Sequence, residues 1–73
     1  EAGGAVPAIL NAANEIAVAA FLTGDVQFLE ITEIVSRIID SYSPPEPNDL
    51  ADIFGIDKET RERATTMIED VKV

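Results

Sequence analysis

The sequence predicts an all-α fold, a small helical bundle of three longer helices and one short one, and three observations carry that expectation. Ile31, Ile34, Val35, Ile38, Ile39 and Tyr42 recur at i, i+3, i+4, i+7, i+8 and i+11, which lays them along one helical stripe. Residues 5–22 form a second apolar run, rich in alanine, the strongest helix former. Alternation at period two, the pattern of a half-buried strand, is sustained nowhere.

The elements follow in order. Residues 1–6 are a flexible lead-in containing Gly3 and Gly4, and Pro7 suits a first helical turn, where its missing N–H costs nothing. The first helix runs to about Leu22, with Gly24 placed to take a left-handed C-terminal cap. After a connector over 25–28, the second helix carries the stripe above. Its other side holds Thr32, Glu33, Ser36, Arg37 and Asp40, with Glu33 and Arg37 in the favourable i, i+4 order. A Pro-rich loop over 41–48 must end it, because Pro44, Pro45 and Pro47 remove donors and disfavour the helical region before each of them. Asn48 reads as an N-cap with Asp49 and Asp52 in the first turn of a short third helix ending near Gly55. A fourth helix starts at Asp57 and turns Ala64, Met67, Ile68 and Val71 to one side, with Lys58–Glu62 and Glu59–Arg63 as surface pairs.

At 73 residues the chain is one small domain or a piece of a larger protein, and 1–73 reads as a single bundle domain. A domain of this size buries only about 60% of its unfolded surface, so the 47% apolar content has to supply a marginal core unaided. With no cysteine and no histidine, disulfides, thiolate or imidazole metal sites, Cys–His nucleophiles and the usual near-neutral proton shuttle are excluded. Five basic against fourteen acidic residues give a net charge of −9, and no Lys or Arg precedes Arg37. A nucleic-acid partner needs cations to replace released counterions, so none is expected. No membrane partner is expected either: anionic surfaces repel this chain, and the run from Ala5 to Leu22 is at the short limit for a span and includes Asn11, Asn14 and Glu15. It reads as a buried helix of a soluble protein. No basic n-region or cleavage site is present, so no signal peptide is expected, and the absence of cysteine fits a cytosolic compartment.

The segment "LNAANEIAVAAFL" poses the functional question. On a helix Asn11, Asn14 and Glu15 share one face, and Val18 and Leu22 continue that arc as dry surface. These three are either chemical groups, ordinary surface, or a fastening to something else. A catalytic carboxylate needs a second acid, a base or a metal, and Glu15 has no such neighbour in sequence. A structural role for the patch, its amides satisfying neighbouring backbone, is the reading preferred. Other sites fare no better. An EF-hand starting at Asp49 puts Ala51 in its third place and Gly55 in its seventh, so the acids at 49, 52, 57 and 59 read as helix caps. Gly3–Gly4 lacks any nearby cation for a phosphate and reads as a hinge. An acyl carrier is excluded because Asn48-Asp49-Leu50 stands where such proteins need Asp-Ser-Leu.

"PAILNAANEIAVAAFLTG", followed by "FLEI", resembles the start of the C-terminal domain of the 1-deoxy-D-xylulose 5-phosphate reductoisomerase family, and "LADIFGIDKETRERA" is similar to that family's final segment through Asp57, Arg61 and Ala64. The likeness spans nearly the whole chain. Departures are Ala5, where Thr or Ser is usual, and Thr60, where Ala is common. The resemblance implies a larger enzyme, a homodimer with a dinucleotide-binding domain, a catalytic domain and this C-terminal bundle. It implies NADPH and a divalent metal, Mg or Mn, both held outside this chain, and the conversion of 1-deoxy-D-xylulose 5-phosphate to 2-C-methyl-D-erythritol 4-phosphate for isoprenoid precursors. No family residue with a catalytic, cofactor-binding or metal role carries over to any position here. Asn11, Asn14 and Glu15 are then expected to orient the bundle against the rest of the enzyme, and the setting to be bacterial cytoplasm or plastid stroma. The competing class is a free-standing acidic helical interaction module.

Overall fold

The computed structural model describes residues 4–71, and within them three helices and no strand: α1 (Ala5–Leu22), α2 (Phe28–Ser41) and α3 (Leu50–Val71). Gly3 and the side chain of Val71, both assigned parts above, lie outside the described residues. The all-α bundle is as expected.

Local chemistry sets the ends of the helices. α1 begins at Ala5, two residues inside the expected lead-in, and keeps Pro7 in its first turn. It stops in a Schellman motif. Gly24 adopts φ 85°, and its N–H and that of Asp25 donate to the carbonyls of Phe21 and Ala20 at 3.0 and 2.8 Å. That turn drops Val26 into the core at 5% exposure and points the chain back along α1. At the start of α2 the Gln27 N–H donates to Glu30 Oε1 at 2.6 Å, so an acidic side chain closes an orphan donor where the helix dipole also favours it. Tyr42 leaves α2 in extended conformation, which suits the proline loop that follows.

Two expectations about the second half need correcting. The N-cap of α3 is Asp49 rather than Asn48: its Oδ1 accepts from the Asp52 N–H at 3.0 Å, while Asp52 Oδ2 reaches back to the Asn48 N–H at 2.9 Å. More consequentially, the short third helix and the fourth are one continuous helix through Gly55. A glycine inside a helix costs only about 1 kcal/mol. Against that, Ile56, Thr60, Ala64 and Ile68, all buried, form an unbroken four-residue repeat facing α1, and an isolated helix of one or two turns has no stability of its own. Asp57 therefore caps nothing; its Oδ2 accepts from Arg61 Nε at 2.8 Å one turn on.

α1 is the central helix. It runs antiparallel to α2 across the Gly24 turn. It runs alongside α3 in the same direction: Gly4 lies against Pro47, Glu15 meets Arg61, and Ala20 and Thr23 share a depression with Thr65 and Ile68. Ala12, Ala13 and Ala17 on α1 and Ala64 on α3 are fully buried, so small side chains face the neighbouring helices and let the backbones approach. Ile9, Ile34, Ile38, Ile56 and Ile68 fill the remaining space. A side chain at Gly4 would press to 2.7 Å from Pro47 Cγ, so the close crossing of α1 and the proline loop requires glycine there.

Candidate functional site

Spending small residues on the inside leaves the large ones outside. Leu10, Phe21 and Leu22 of α1 and Phe28 and Leu29 of α2 are exposed, Leu22 and Leu29 by 75% and 81%. The Phe21 and Phe28 rings meet edge-to-face with centroids 5.7 Å apart, joining the two helices' contributions around the Gly24 corner.

The three residues singled out in sequence separate into two roles. Asn11 and Asn14 are both exposed, and among the described residues neither amide has a hydrogen-bond partner. The expected bonds to neighbouring backbone within the chain are therefore not made. The two amides instead line a shallow depression of about 410 Å³ with Pro7, Leu10 and Val35, and Asn14 borders a second, of about 290 Å³, between Val35 and Ile39 of α2. Glu15 is exposed but paired across the bundle surface. Its Oε1 accepts from Arg61 Nη2 at 2.8 Å, and the same guanidinium holds Asp57, which raises the Arg61 pKa above its ordinary value through the Asp57 bond first and the Glu15 bond second. Sequence reasoning missed this clamp. The i, i+4 spacing of Asp57 and Arg61 was a signal for half of it, hidden by the supposed break before Asp57.

A depression of about 630 Å³ lies between α2 and α3 and is lined by Arg37, Glu59, Glu62, Arg63, Met67 and Asp70. Both of its cations are paired with carboxylates. Arg37 pairs with Glu33, and Arg63 Nε donates to Glu59 at 2.7 Å while its guanidinium carbon sits 4.3 Å from the Tyr42 ring centroid. Burial pushes the Tyr42 phenol above its ordinary pKa, Glu59 adds to that, and Arg63 opposes it. Each of the four described cations, Arg37, Lys58, Arg61 and Arg63, is paired with a carboxylate. Among the described residues no three acidic, His or Cys side chains gather as a metal-holding group.

Fold and surface together define a small three-helix domain whose central helix carries two exposed amides and large apolar side chains on its outer side. The chain belongs to the family described as the DXP reductoisomerase C-terminal domain, whose model matches residues 1–63. It is 49% identical over 71 residues to 1-deoxy-D-xylulose 5-phosphate reductoisomerase of Zymomonas mobilis, which covers 97% of this chain and 18% of that protein. It is 48% identical over 60 residues to the reductoisomerase of Bacillus pumilus, covering 82% of this chain and 16% of that one. Among solved structures it matches the Zymomonas mobilis reductoisomerase in complex with NADPH, with a TM-score of 0.83 and 51% identity, over 86% of this chain and 17% of the other. The chain thus spans less than a fifth of the length of these relatives.

Proposed function

We propose that this chain is the C-terminal domain of a reductoisomerase that isomerises and reduces 1-deoxy-D-xylulose 5-phosphate to 2-C-methyl-D-erythritol 4-phosphate, using NADPH and a divalent metal, Mg or Mn. The observation that carries this reading is the 49% identity sustained over 97% of the chain. The parent is a homodimer of the bacterial cytoplasm or plastid stroma, and the partner of this domain is the remainder of the same enzyme.

The described residues do not fit a site for either cofactor. A nucleotide's phosphates find no unpaired cation among them, and no carboxylate cluster is available for a metal. No step of the reaction is routed through this chain. Its contribution is mechanical: a rigid end-piece whose Asn11 and Asn14 amides bond groups on the adjoining domain and fix the bundle's orientation, with the Glu15–Arg61 pair holding α1 steady beneath them.

The full-length polypeptide is expected to oxidise NADPH in the presence of the substrate, and the 73-residue chain alone to show no turnover. Turnover by the isolated chain overturns the assignment. In the full-length enzyme Asn14→Leu strands the groups it bonds, costing about 1–3 kcal/mol per group; unchanged stability and turnover sink the role given to the amides.

A further inference from the structure

The outer side of α1 is built unlike a solvated helix face. At 100° per residue Leu10, Phe21, Asn14, Val18, Asn11 and Leu22 fall in that order across an arc of roughly 120°. No charged residue lies among them. The contact of Phe21 with Phe28 carries the same surface round the corner onto Phe28 and Leu29, 66% and 81% exposed. By length and composition α1 is apolar enough to cross a membrane, yet only 33% of it is buried by α2 and α3. A contiguous apolar surface of this kind marks an interface.

Charge and chemistry narrow the occupant. A bilayer would leave both amides of Asn11 and Asn14 stranded among acyl chains, and a chain of net charge −9 with no cation before Arg37 is repelled by anionic headgroups. The amides, each a donor and an acceptor, match the peptide groups of a protein surface. The relatives carry more than four-fifths of their length outside the matched domain, and the family is a C-terminal domain, so that length precedes α1. A body tethered at the start of α1 meets this face at an effective concentration on the order of millimolar, well above that of a second copy in solution.

We infer that this face, from Leu10 and the two amides through Phe21 and Leu22 to Phe28 and Leu29, is buried against the upstream body of the same polypeptide; this rests on reading the chain as the end-domain of a longer reductoisomerase. The buried surface is therefore much wider than the amide pair, and the corner at Gly24 belongs to it.

The test is hydroxyl-radical footprinting of the full-length polypeptide in buffer free of lipid and detergent, read residue by residue by mass spectrometry and corrected for intrinsic side-chain reactivity. Leu10, Phe21, Leu22, Phe28 and Leu29 are expected to oxidise as slowly as Ile9 and Ile38, the buried references at 2% and 0% exposure. That is roughly fivefold or more below the rate of a two-thirds-exposed side chain. Oxidation several-fold faster than the references overturns the inference. Protection that disappears on dilution to the monomer also overturns it, because a second copy is then the cover. Turnover of substrate with NADPH, assayed on the same sample, separates the two readings: protection without turnover sinks the reductoisomerase reading and leaves the docked face standing, and turnover without protection does the reverse.

Discussion

Arg61 Nη2 on α3 lies 2.8 Å from Glu15 Oε1 on α1, an ion pair between residues 46 apart in sequence. The pairs Arg37–Glu33, Lys58–Glu62, Arg63–Glu59 and Arg61–Asp57 each join residues four apart on one helix and stiffen only that helix. The Glu15–Arg61 pair instead fixes the register of two parallel helices whose buried contacts are mostly alanine, which interlocks weakly because it is small. Arg61 bridges Glu15 and Asp57, so one guanidinium with a fixed fork serves both carboxylates.

Arg61→Gln is accordingly expected to lower the melting temperature of the chain by a few degrees at low ionic strength, with much of the difference gone in about 1 M salt, where the screening length is near 3 Å. Glu15→Gln lowers it less, because Arg61 keeps Asp57. The double variant is expected to melt close to Arg61→Gln alone. Circular dichroism at 222 nm across the four proteins checks this, and strictly additive losses count against a shared clamp.

Thr60 is fully buried, and among the described residues its hydroxyl has no hydrogen-bond partner. A stranded polar group costs stability, on the order of 1–3 kcal/mol. Thr60→Val keeps the shape and the β-branching while removing the oxygen, and is expected to stabilise by about 1 kcal/mol, seen as a melting temperature higher by about 4–8 °C. Thr60→Ser keeps the oxygen and loses the methyl, and is expected to destabilise by a similar amount. A destabilised Thr60→Val would mean that the hydroxyl is satisfied.

These two residues also mark where the sequence could be read and where it could not. The α2 stripe was legible because large apolar residues at helical spacing have one arrangement that buries them, and Ile34 and Ile38 are indeed in the core. Gly24 was legible because a glycine just past an apolar run has a specific use. Gly55 and Asp57 carried a stop and a start signal that are real locally, and the packing of Ile56 and Thr60 against α1 outweighed both. For the site, the segment of Asn11, Asn14 and Glu15 was found from sequence, but its division into two free amides and one clamped acid was not. The Arg61 partner depends on α1 and α3 running parallel, and no local pattern encodes that. The outer face of α1 was legible only in part: Val18 and Leu22 fall on the arc of Asn11 and Asn14, but the helix is apolar nearly all round, so its wheel does not reveal that Leu10 and Phe21 also turn outward.

Gly24 and Gly55 make predictions of opposite sign. Gly24 sits at φ 85°, where a side chain crowds its own backbone, so Gly24→Ala is expected to destabilise by about 1–2 kcal/mol although nothing lies within 4 Å of the new methyl. Gly55 also faces open space but lies inside α3 with ordinary helical backbone. Gly55→Ala is expected to stabilise by about 0.5–1 kcal/mol, mainly by restricting the unfolded chain. Urea unfolding of both variants measures the pair; a destabilised Gly55→Ala would show that the continuous α3 is wrong at this point.

Tyr42 offers an optical test of the α2–α3 groove, because it is the only tyrosine and there is no tryptophan. Its phenol is pushed above the ordinary 10.0 by burial and then by Glu59, with Arg63 pulling the other way. The folded pKa exceeds the unfolded one, so the associated stability is fully present below about pH 10 and is lost as the pH rises through the folded value. Absorbance near 295 nm is therefore expected to titrate with a midpoint above 10 in the native chain and to fall back to the ordinary value in denaturant. Glu59→Gln removes a raising charge and should bring the native midpoint down, whereas Arg63→Gln removes the cation over the ring and should drive it further up. Folding monitored in parallel keeps alkaline unfolding from being mistaken for titration. A native midpoint at or below 10, or equal shifts in the same direction for the two variants, would mean that Arg63 does not sit over Tyr42 and that the groove is differently built.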